Sequence, residues 1–130
     1  MSTTYTFTKE ERLRNKKLID ELFRNGSSFL CYPFKVSWIT VSEPQLFPAR
    51  VLFGVPKKRY KLATERNLLR RRMREAYRLN KQQHLYNSLQ EGGKSIVLSI
   101  GYIGKEINSS DLITKKMLKV LGQLSIDALK

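Results

Sequence analysis

The segment RNLLRRRMREAYR, residues 66–78, carries six arginines and still keeps the spacing of an amphipathic helix. At about 100° per residue, Leu69, Met73, Ala76 and Tyr77 fall on one side of that helix. The opposite side carries Asn67, Arg70, Arg71, Arg74 and Arg78. Any fold of this chain must therefore bury one side of the helix and leave the cationic side at the surface.

Positive charge is concentrated around this helix. The 130 residues carry a formal net charge of +14, and residues 57–78 alone contain ten Lys or Arg against two Glu, a local charge of +8. Such a field attracts polyanions, and guanidinium groups can bind phosphate bidentately or stack on bases. A face selected only for solubility would mix the two signs of charge. The pattern therefore favours nucleic acid over the alternative of a purely solvating face.

Hydrophobic periodicity predicts one domain with helices at both ends of the chain. A first helix is expected from Lys16 to Asn25 behind an Asn15 cap, with Gly26 in the left-handed position beyond its last turn. The arginine-rich helix should begin near Ala63 and fade near Gln82. The last helix should be capped by Ser109 or Ser110.

Alternating apolar residues predict the strands between these helices. Strands are expected at 34–38 and 51–55, joined through a turn or hairpin loop at 41–48 as an antiparallel pair, with room for a short strand near 28–32. The segment SIVLSI, residues 95–100, is apolar without alternation, as expected for an interior strand covered on both faces. Gly92 and Gly93 mark the turn before it.

A protein active site or zinc site is not expected. One cysteine, Cys31, and one histidine, His84, cannot complete a tetrahedral zinc site or form a disulfide within the chain. The acidic residues are scattered, and adjacent pairs such as Glu10 with Glu11 or Asp20 with Glu21 point about 100° apart on a helix. A nuclease that acts through its own metal-binding carboxylates is therefore disfavoured.

No apolar run is long enough to span a membrane, and the amino end has no basic-then-apolar signal sequence. These features predict a cytoplasmic protein. Aromatic rings could stack on unpaired bases, although core packing is the alternative role for each of them. The candidates are Phe23, Phe29, Phe34, Trp38, Phe53 and Tyr60.

Several segments together resemble the protein component of bacterial ribonuclease P. The similarity covers FTKEERLRNKKLIDELFRNG (7–26), PFKV (33–36) and LFGVPKKRYKLATERNLLRRRMREAYR (52–78), and weakens through SIVLSI and the last helix. The most specific part is the turn and helix motif Pro56, Lys57, Lys58, Ala63, Arg66, Asn67, Arg70, Arg71, Arg74 and Glu75. A ribosomal or general RNA-binding protein is the alternative that charge alone leaves open.

The resemblance implies an α/β (α+β) two-layer sandwich with a mixed four-stranded sheet in the order α-β-β-β-α-β-α. It also implies a left-handed βαβ crossover through the arginine helix, opposite to the hand of most such connections. The implied function is that of the protein subunit of ribonuclease P, an endoribonuclease that removes the 5′ leader from precursor tRNA. Cleavage would belong to the catalytic RNA partner and to Mg²⁺ held mainly by that RNA.

Two sets of site residues follow from the resemblance and the charge pattern. The expected residues that bind the catalytic RNA are Lys57, Lys58, Arg59, Arg66, Asn67, Arg70, Arg71, Arg74 and Arg78. The expected residues of the 5′-leader cleft are Phe23, Ile19, Lys35 and Ser37. Ile19 stands where many members carry an aromatic residue. Gly101 and Tyr102 stand where many members carry an arginine, so no phosphate contact is expected at Gly101 or Tyr102. No residue is expected to be catalytic, and no metal position is assigned.

Overall fold

The computed structural model describes residues 6–42 and 45–129. The helices are α1 (Lys16–Asn25), α2 (Ala63–Lys81), α3 (Asn87–Glu91) and α4 (Ser110–Ala128), and the strands are β1 (Ser27–Cys31), β2 (Phe34–Thr40), β3 (Ala49–Gly54) and β4 (Ile96–Tyr102). The strands form one mixed sheet in the spatial order β1-β2-β4-β3. The predicted mixed four-stranded sheet and the short strand near 28–32 are confirmed.

Strand β4 lies in the interior of the sheet, as its continuous apolar sequence predicts. It pairs antiparallel with β2 and parallel with β3, and all of its residues except Gly101 are buried. A strand that is apolar on both faces gains most from a central position, where neighbouring strands and helices exclude water from it. The prediction of an interior strand is therefore confirmed.

The predicted pairing of strands β2 and β3 as neighbours is wrong, because β4 lies between them. Their connection crosses the start of β4 instead. The Val41 N–H donates to the Ser95 carbonyl at 2.8 Å, and the Ile96 N–H donates to the Pro48 carbonyl at 2.9 Å. Residues 43 and 44 of the predicted 41–48 loop lie outside the described residues. Helix α2 then joins β3 to its parallel neighbour β4, and the left hand of this crossover stays a prediction.

One face of the sheet packs against α2, α3 and α4 and forms the main core. The strands contribute Val36, Val51 and Ile100, and the arginine-rich helix contributes its apolar side, with Leu69 and Met73 fully buried. This is the side that the sequence spacing predicts to be buried. The opposite side of α2 is consequently directed away from the sheet.

The other face of the sheet is only partly covered. Leu13 and Leu22 pack on Val97 and form a small second core beneath α1. Cross-strand register places Ser37 beside Ser99, and Lys35 beside Gly101, further along the same face. Helix α1 therefore covers one end of this face and leaves the other end open.

Helix α1 begins and ends where the sequence predicts, but Gly26 has a different role. The Asn15 side chain accepts hydrogen bonds from the backbone N–H groups of Lys17 and Leu18 at 2.9 and 3.2 Å. Gly26 is extended, with φ −74° and ψ 158°, so the predicted left-handed conformation is wrong. A Cβ at this position would lie 2.3 Å from the Leu22 carbonyl oxygen, so close backbone approach is what favours glycine here.

Helix α2 ends at Lys81, so the predicted fading of the pattern near Gln82 is confirmed. The helical backbone then continues through a π-helical segment, Gln82–Tyr86, into α3, which Gly92 caps. The sequence did not predict this continuation. Gly93, with φ +65°, makes the predicted turn before β4. Ser109 caps α4 by accepting from the Leu112 N–H at 3.2 Å.

Candidate nucleic-acid interface

The outer side of α2 presents polar and cationic groups to solvent. Asn67, Arg71 and Arg74 are exposed, and Arg70 is half-buried. The Arg70 guanidinium donates to the Asn67 side-chain oxygen at 2.7 Å, which places these two groups side by side. No acidic side chain of the described residues forms an ion pair with Arg70, Arg71 or Arg74. Their charge is therefore available to an anionic partner.

Two further arginines of α2 contact the protein itself. Arg66 donates to the carbonyl oxygens of Tyr60 and Lys61 at 2.8 and 2.9 Å, which ties the turn before the helix to its first residues. Arg72 donates to the Asn108 carbonyl at 2.6 Å, just before α4. Arg66 was predicted to bind RNA, and the structure gives it a local structural contact as well. Arg72 was not among the predicted RNA-binding residues.

Arg78 lies at the far end of the cationic side and pairs with Glu75. Its Nε atom lies 2.5 Å from the Glu75 carboxylate, and both side chains remain partly exposed to solvent. The hydrogen bond from Arg78 holds the pKa of the Glu75 carboxyl below its usual value. The same contact raises the pKa of the Arg78 guanidinium. This pair reduces the net positive charge at one end of the helix face.

The basic turn before α2 adjoins the open end of the sheet. Lys57 and Lys58 are exposed, and the Arg59 guanidinium donates to the Ile103 carbonyl at 2.6 Å. Ile103 follows β4 and lines the cavity described next. The turn therefore connects the cationic side of α2 with the open face of the sheet.

A cavity of about 370 Å³ occupies the end of the sheet face that α1 leaves uncovered. Its lining includes Phe23 from α1, and Lys35 and Ser37 from β2. Gly54 and Gly101 are neighbours across the sheet and add no side chain, so the floor of the cavity stays open. The sequence gives these glycines no distinctive signal, because their effect depends on the pairing of β3 with β4.

The structure brings together three of the four residues predicted for a leader cleft. Phe23 is 60% exposed and stands at the border of the cavity, where its ring is accessible to a base. Lys35 and Ser37 line the same cavity. Ile19 instead packs against the apolar cluster of Leu13 and Leu22, so the structure does not place it in the cavity lining.

The structure also separates the other aromatic candidates. Phe34 and Tyr60 are buried, and the Tyr60 hydroxyl donates to the Gly104 carbonyl at 2.8 Å. Phe29, Trp38 and Phe53 are partly buried against the main core. Among the aromatic candidates, Phe23 is therefore the one best placed to stack on an unpaired base.

Lys81 was missed as a site of interest because the helical projection covered residues 66–78 only. It lies four residues after Tyr77 on the buried side, is fully enclosed, and pairs with the buried Glu11 carboxylate. Its ammonium group also donates to the Thr6 carbonyl, and the Tyr86 hydroxyl donates to the same carboxylate at 2.8 Å. Burial lowers the pKa of Lys81, and the neighbouring Glu11 opposes that change. The helical spacing from Tyr77 was the signal that could have found it.

Within residues 6–42 and 45–129, no group of three or more His, Cys, Asp or Glu side chains could hold a metal ion. Over the same residues, no helix is long and apolar enough to cross a membrane. An exposed cationic helix face and an open cavity with an exposed aromatic ring are together typical of proteins that bind nucleic acid.

Comparison with known proteins agrees with this class. The family model Ribonuclease P matches residues 7–124. The ribonuclease P protein component of Porphyromonas gingivalis is 34% identical over 98% of this chain and 95% of its own length. That of Chlorobium phaeobacteroides is 34% identical over 93% of this chain and 89% of its own length.

Solved structures share the fold. The RNase P protein of Thermotoga maritima superposes with a TM-score of 0.69 at 24% identity, covering 87% of this chain and 96% of its own. The Staphylococcus aureus RNase P protein gives a TM-score of 0.67 at 19% identity, covering 92% and 98%. The chain belongs to the ribonuclease P protein family, whose members are components of a ribonucleoprotein endoribonuclease of tRNA processing.

Proposed function

We propose that this chain is the protein subunit that binds the catalytic RNA of ribonuclease P through α2 and binds the single-stranded 5′ leader of precursor tRNA in the open cavity. The protein raises substrate affinity, while the RNA and its Mg²⁺ hydrolyse the phosphodiester. It acts in the cytoplasm, where precursor tRNA is made in bacteria. The proposal rests on family membership and on two separate surfaces that suit these two RNA ligands.

The single observation that carries the leader assignment is the uncovered half of the sheet face. An exposed ring, Phe23, stands beside a groove whose described lining residues include one lysine and no acidic residue. Stacking on an aromatic ring is available to every base, so such a groove accepts a leader of varied sequence. The assignment of catalysis to the RNA rests on family membership, because the family's proteins are components of a ribonucleoprotein endoribonuclease.

Cleavage of precursor tRNA at low Mg²⁺ by a bacterial ribonuclease P RNA, with and without this protein, tests the proposal. Cleavage should be stimulated only when both RNA and protein are present. A control with protein alone should show no cleavage. Activity of the protein alone would contradict the assignment of catalysis to the RNA, and no stimulation by the protein would favour a general RNA-binding role.

Phe23→Ala tests the leader cleft. Because Phe23 is 60% exposed, the variant should keep its thermal stability and lose about 1 to 3 kcal/mol of affinity for precursor tRNA in the assembled holoenzyme. Leu30→Ala is the matched control, since Leu30 is 70% exposed and lies on β1, away from the cavity. Mature tRNA, which has no leader, should bind equally to the wild-type protein and to the two variants. Unchanged affinity for precursor tRNA in folded Phe23→Ala would refute a stacking role.

A further inference from the structure

The N-terminal segment wraps around the free edge of the sheet. We call residues 7–14 the strap. At its start, the Phe7 ring packs against Tyr77 on the main-core side, with 5.9 Å between ring centroids. At its end, Leu13 is buried in the second core on the opposite face. Between them, Arg12 bridges to Val51 and the Leu13 N–H donates to the Val51 carbonyl at 3.0 Å.

The strap is held in this position by the buried cluster at the end of α2. Its Glu11 carboxylate accepts hydrogen bonds from Lys81 and from the Tyr86 hydroxyl. The Lys81 ammonium also lies 5.5 Å from the centroid of the Phe7 ring, so the strap encloses this cation from two sides. Consequently the two residues that flank Leu13, Arg12 and Arg14, have a defined position relative to α2.

A small pocket lies between the strap and α2, at the edge of β3. Its volume is about 190 Å³, and four arginines line it: Arg12 and Arg14 from the strap, and Arg70 and Arg74 from α2. The other described residues that line it are all apolar, with Phe53 of β3 among them. The Arg12 guanidinium lies 5.6 Å from the centroid of the Phe7 ring, a contact that orients its plane.

Four arginines line this pocket, and none of its described lining residues is acidic. Like charges around one pocket repel one another, and an apolar lining weakens the screening that water would provide. An anion would remove that repulsion, and the planar donor fork of arginine matches the oxygens of a phosphate. The pocket is smaller than the roughly 300 to 1,000 Å³ typical of sites that enclose a whole ligand, which suits one phosphate group and not a complete nucleotide.

We propose that this pocket binds one backbone phosphate of the catalytic RNA, contacted from one side by Arg12 and Arg14 of the strap and from the other by Arg70 and Arg74 of α2. The inference rests on the proposed function, because Arg70 and Arg74 belong to the face assigned to the catalytic RNA. It extends that face around the edge of β3 to two arginines far from α2 in sequence. The strap residues Glu11 and Phe7 are positioning residues for this site.

A double-mutant cycle on binding to the catalytic RNA tests whether both pairs contact the same phosphate. The variants are Arg12→Ala/Arg14→Ala, Arg70→Ala/Arg74→Ala, and the quadruple variant. Each pair should weaken binding by roughly tenfold to hundredfold, the range of charge-assisted hydrogen bonds. Because the pairs share one ligand, the quadruple variant should lose much less than the product of the two losses.

Salt dependence gives an independent count of phosphates. The slope of log affinity against log salt should fall by roughly 0.7 to 0.9 in each pair variant, as for the loss of one phosphate contact. The quadruple variant should show the same single decrease and not twice that amount. Circular dichroism and thermal unfolding of each variant check that the fold is retained.

The charge-matched control is Lys115→Ala/Lys119→Ala, which removes two exposed cations from α4. It should change the affinity and the salt slope much less than Arg12→Ala/Arg14→Ala. An equal effect of the two double variants would overturn the site, because it would reduce the strap arginines to a general charge effect.

The outcomes also separate this inference from the proposed function. If the wild-type protein bound the catalytic RNA and the affinity losses of the two pair variants multiplied in the quadruple variant, the shared phosphate would be overturned. The proposed function would stand. Wild-type protein that does not bind this RNA would overturn both. If the strap variant lost affinity for isolated precursor tRNA and kept its affinity for the catalytic RNA, the assignment to the catalytic RNA would be wrong.

Discussion

The buried and exposed sides of helix α2 handle positive charge in opposite ways. Lys81, in its last turn, is fully enclosed, paired with Glu11 and surrounded by the rings of Phe7, Phe47 and Tyr86 at 5.2 to 5.9 Å. Arg71 and Arg74 are exposed and have no acidic partner among the described residues. A cation that the protein neutralises internally stabilises the fold, whereas a cation left unpaired at the surface is available to a ligand.

Lys81→Met removes the cation of the buried side and should have the largest effect on stability. Removing one partner of a buried ion pair leaves the Glu11 carboxylate uncompensated, so the free energy of unfolding should fall by about 3 to 5 kcal/mol. Denaturant unfolding measures this loss. Lys94→Met, at an exposed position before β4, is the control and should change stability by less than about 0.5 kcal/mol.

A second substitution sharpens this result. Glu11→Gln added to Lys81→Met removes the uncompensated charge, so the double variant should recover a large part of the lost stability. If Lys81→Met unfolded at the same denaturant concentration as Lys94→Met, the buried pair would have no structural role.

Arg74→Ala tests the exposed side of α2. Its guanidinium forms no ion pair with any described residue, so the free energy of unfolding should stay constant while binding to the catalytic RNA weakens by about 1 to 3 kcal/mol. A filter-binding titration at several salt concentrations measures the change. A stable variant with wild-type affinity would remove Arg74 from the proposed interface.

Arg66→Ala lies between these two extremes. Arg66 donates to the carbonyls of Tyr60 and Lys61, so its loss should lower the free energy of unfolding by about 0.5 to 1.5 kcal/mol for each hydrogen bond. RNA affinity should also fall if the same guanidinium contacts phosphate. Arg66→Lys tests the two roles separately, since an ammonium keeps the charge and loses the planar fork. Full stability in Arg66→Ala would show that the two carbonyl contacts contribute little.

Glu75 should give the smallest effect, because the pair that it forms with Arg78 is exposed. The Arg78 hydrogen bond lowers the pKa of the Glu75 carboxyl. A lowered carboxyl pKa contributes stability above the ordinary pKa, and that contribution is lost as the pH falls through the lowered value. An NMR titration should show Glu75 titrating below a normal glutamate and returning toward the ordinary value in Arg78→Gln. An unchanged titration in that variant would assign the shift to other charges.

The sequence predicts local elements well and long-range neighbours poorly. The Asn15 cap, the buried side of α2 and the interior strand β4 follow from periodicity and capping chemistry, which act over a few residues. The prediction of a hairpin between β2 and β3 was wrong because β4, which follows much later in the chain, pairs with both strands and lies between them. The extended conformation of Gly26 was missed because glycine is favoured there by the close approach of two carbonyl oxygens, those of Leu22 and of Trp38 on β2.

The same distinction applies to the site. The cationic side of α2 is a property of one helix and could be predicted from its spacing. The cavity floor at Gly54 and Gly101 and the position of Arg12 beside Arg70 depend on which strands and segments become neighbours in space. The placement of Ile19 in the second core, and not in the cavity lining, likewise depends on how α1 lies across β4.

The strap also has a consequence for how the chain emerges during synthesis. Glu11 is separated from Lys81 by 70 residues and from Tyr86 by 75. At a translation rate of about 5 to 20 residues per second, the amino-terminal segment waits roughly 4 to 14 s for its partners to leave the ribosome. Until Lys81 and Tyr86 have been synthesised, the buried contacts that hold the strap at the edge of β3 cannot form. The arginine-rich helix is therefore synthesised before the strap is fixed in place. The strap is therefore synthesised well before it can reach its final position.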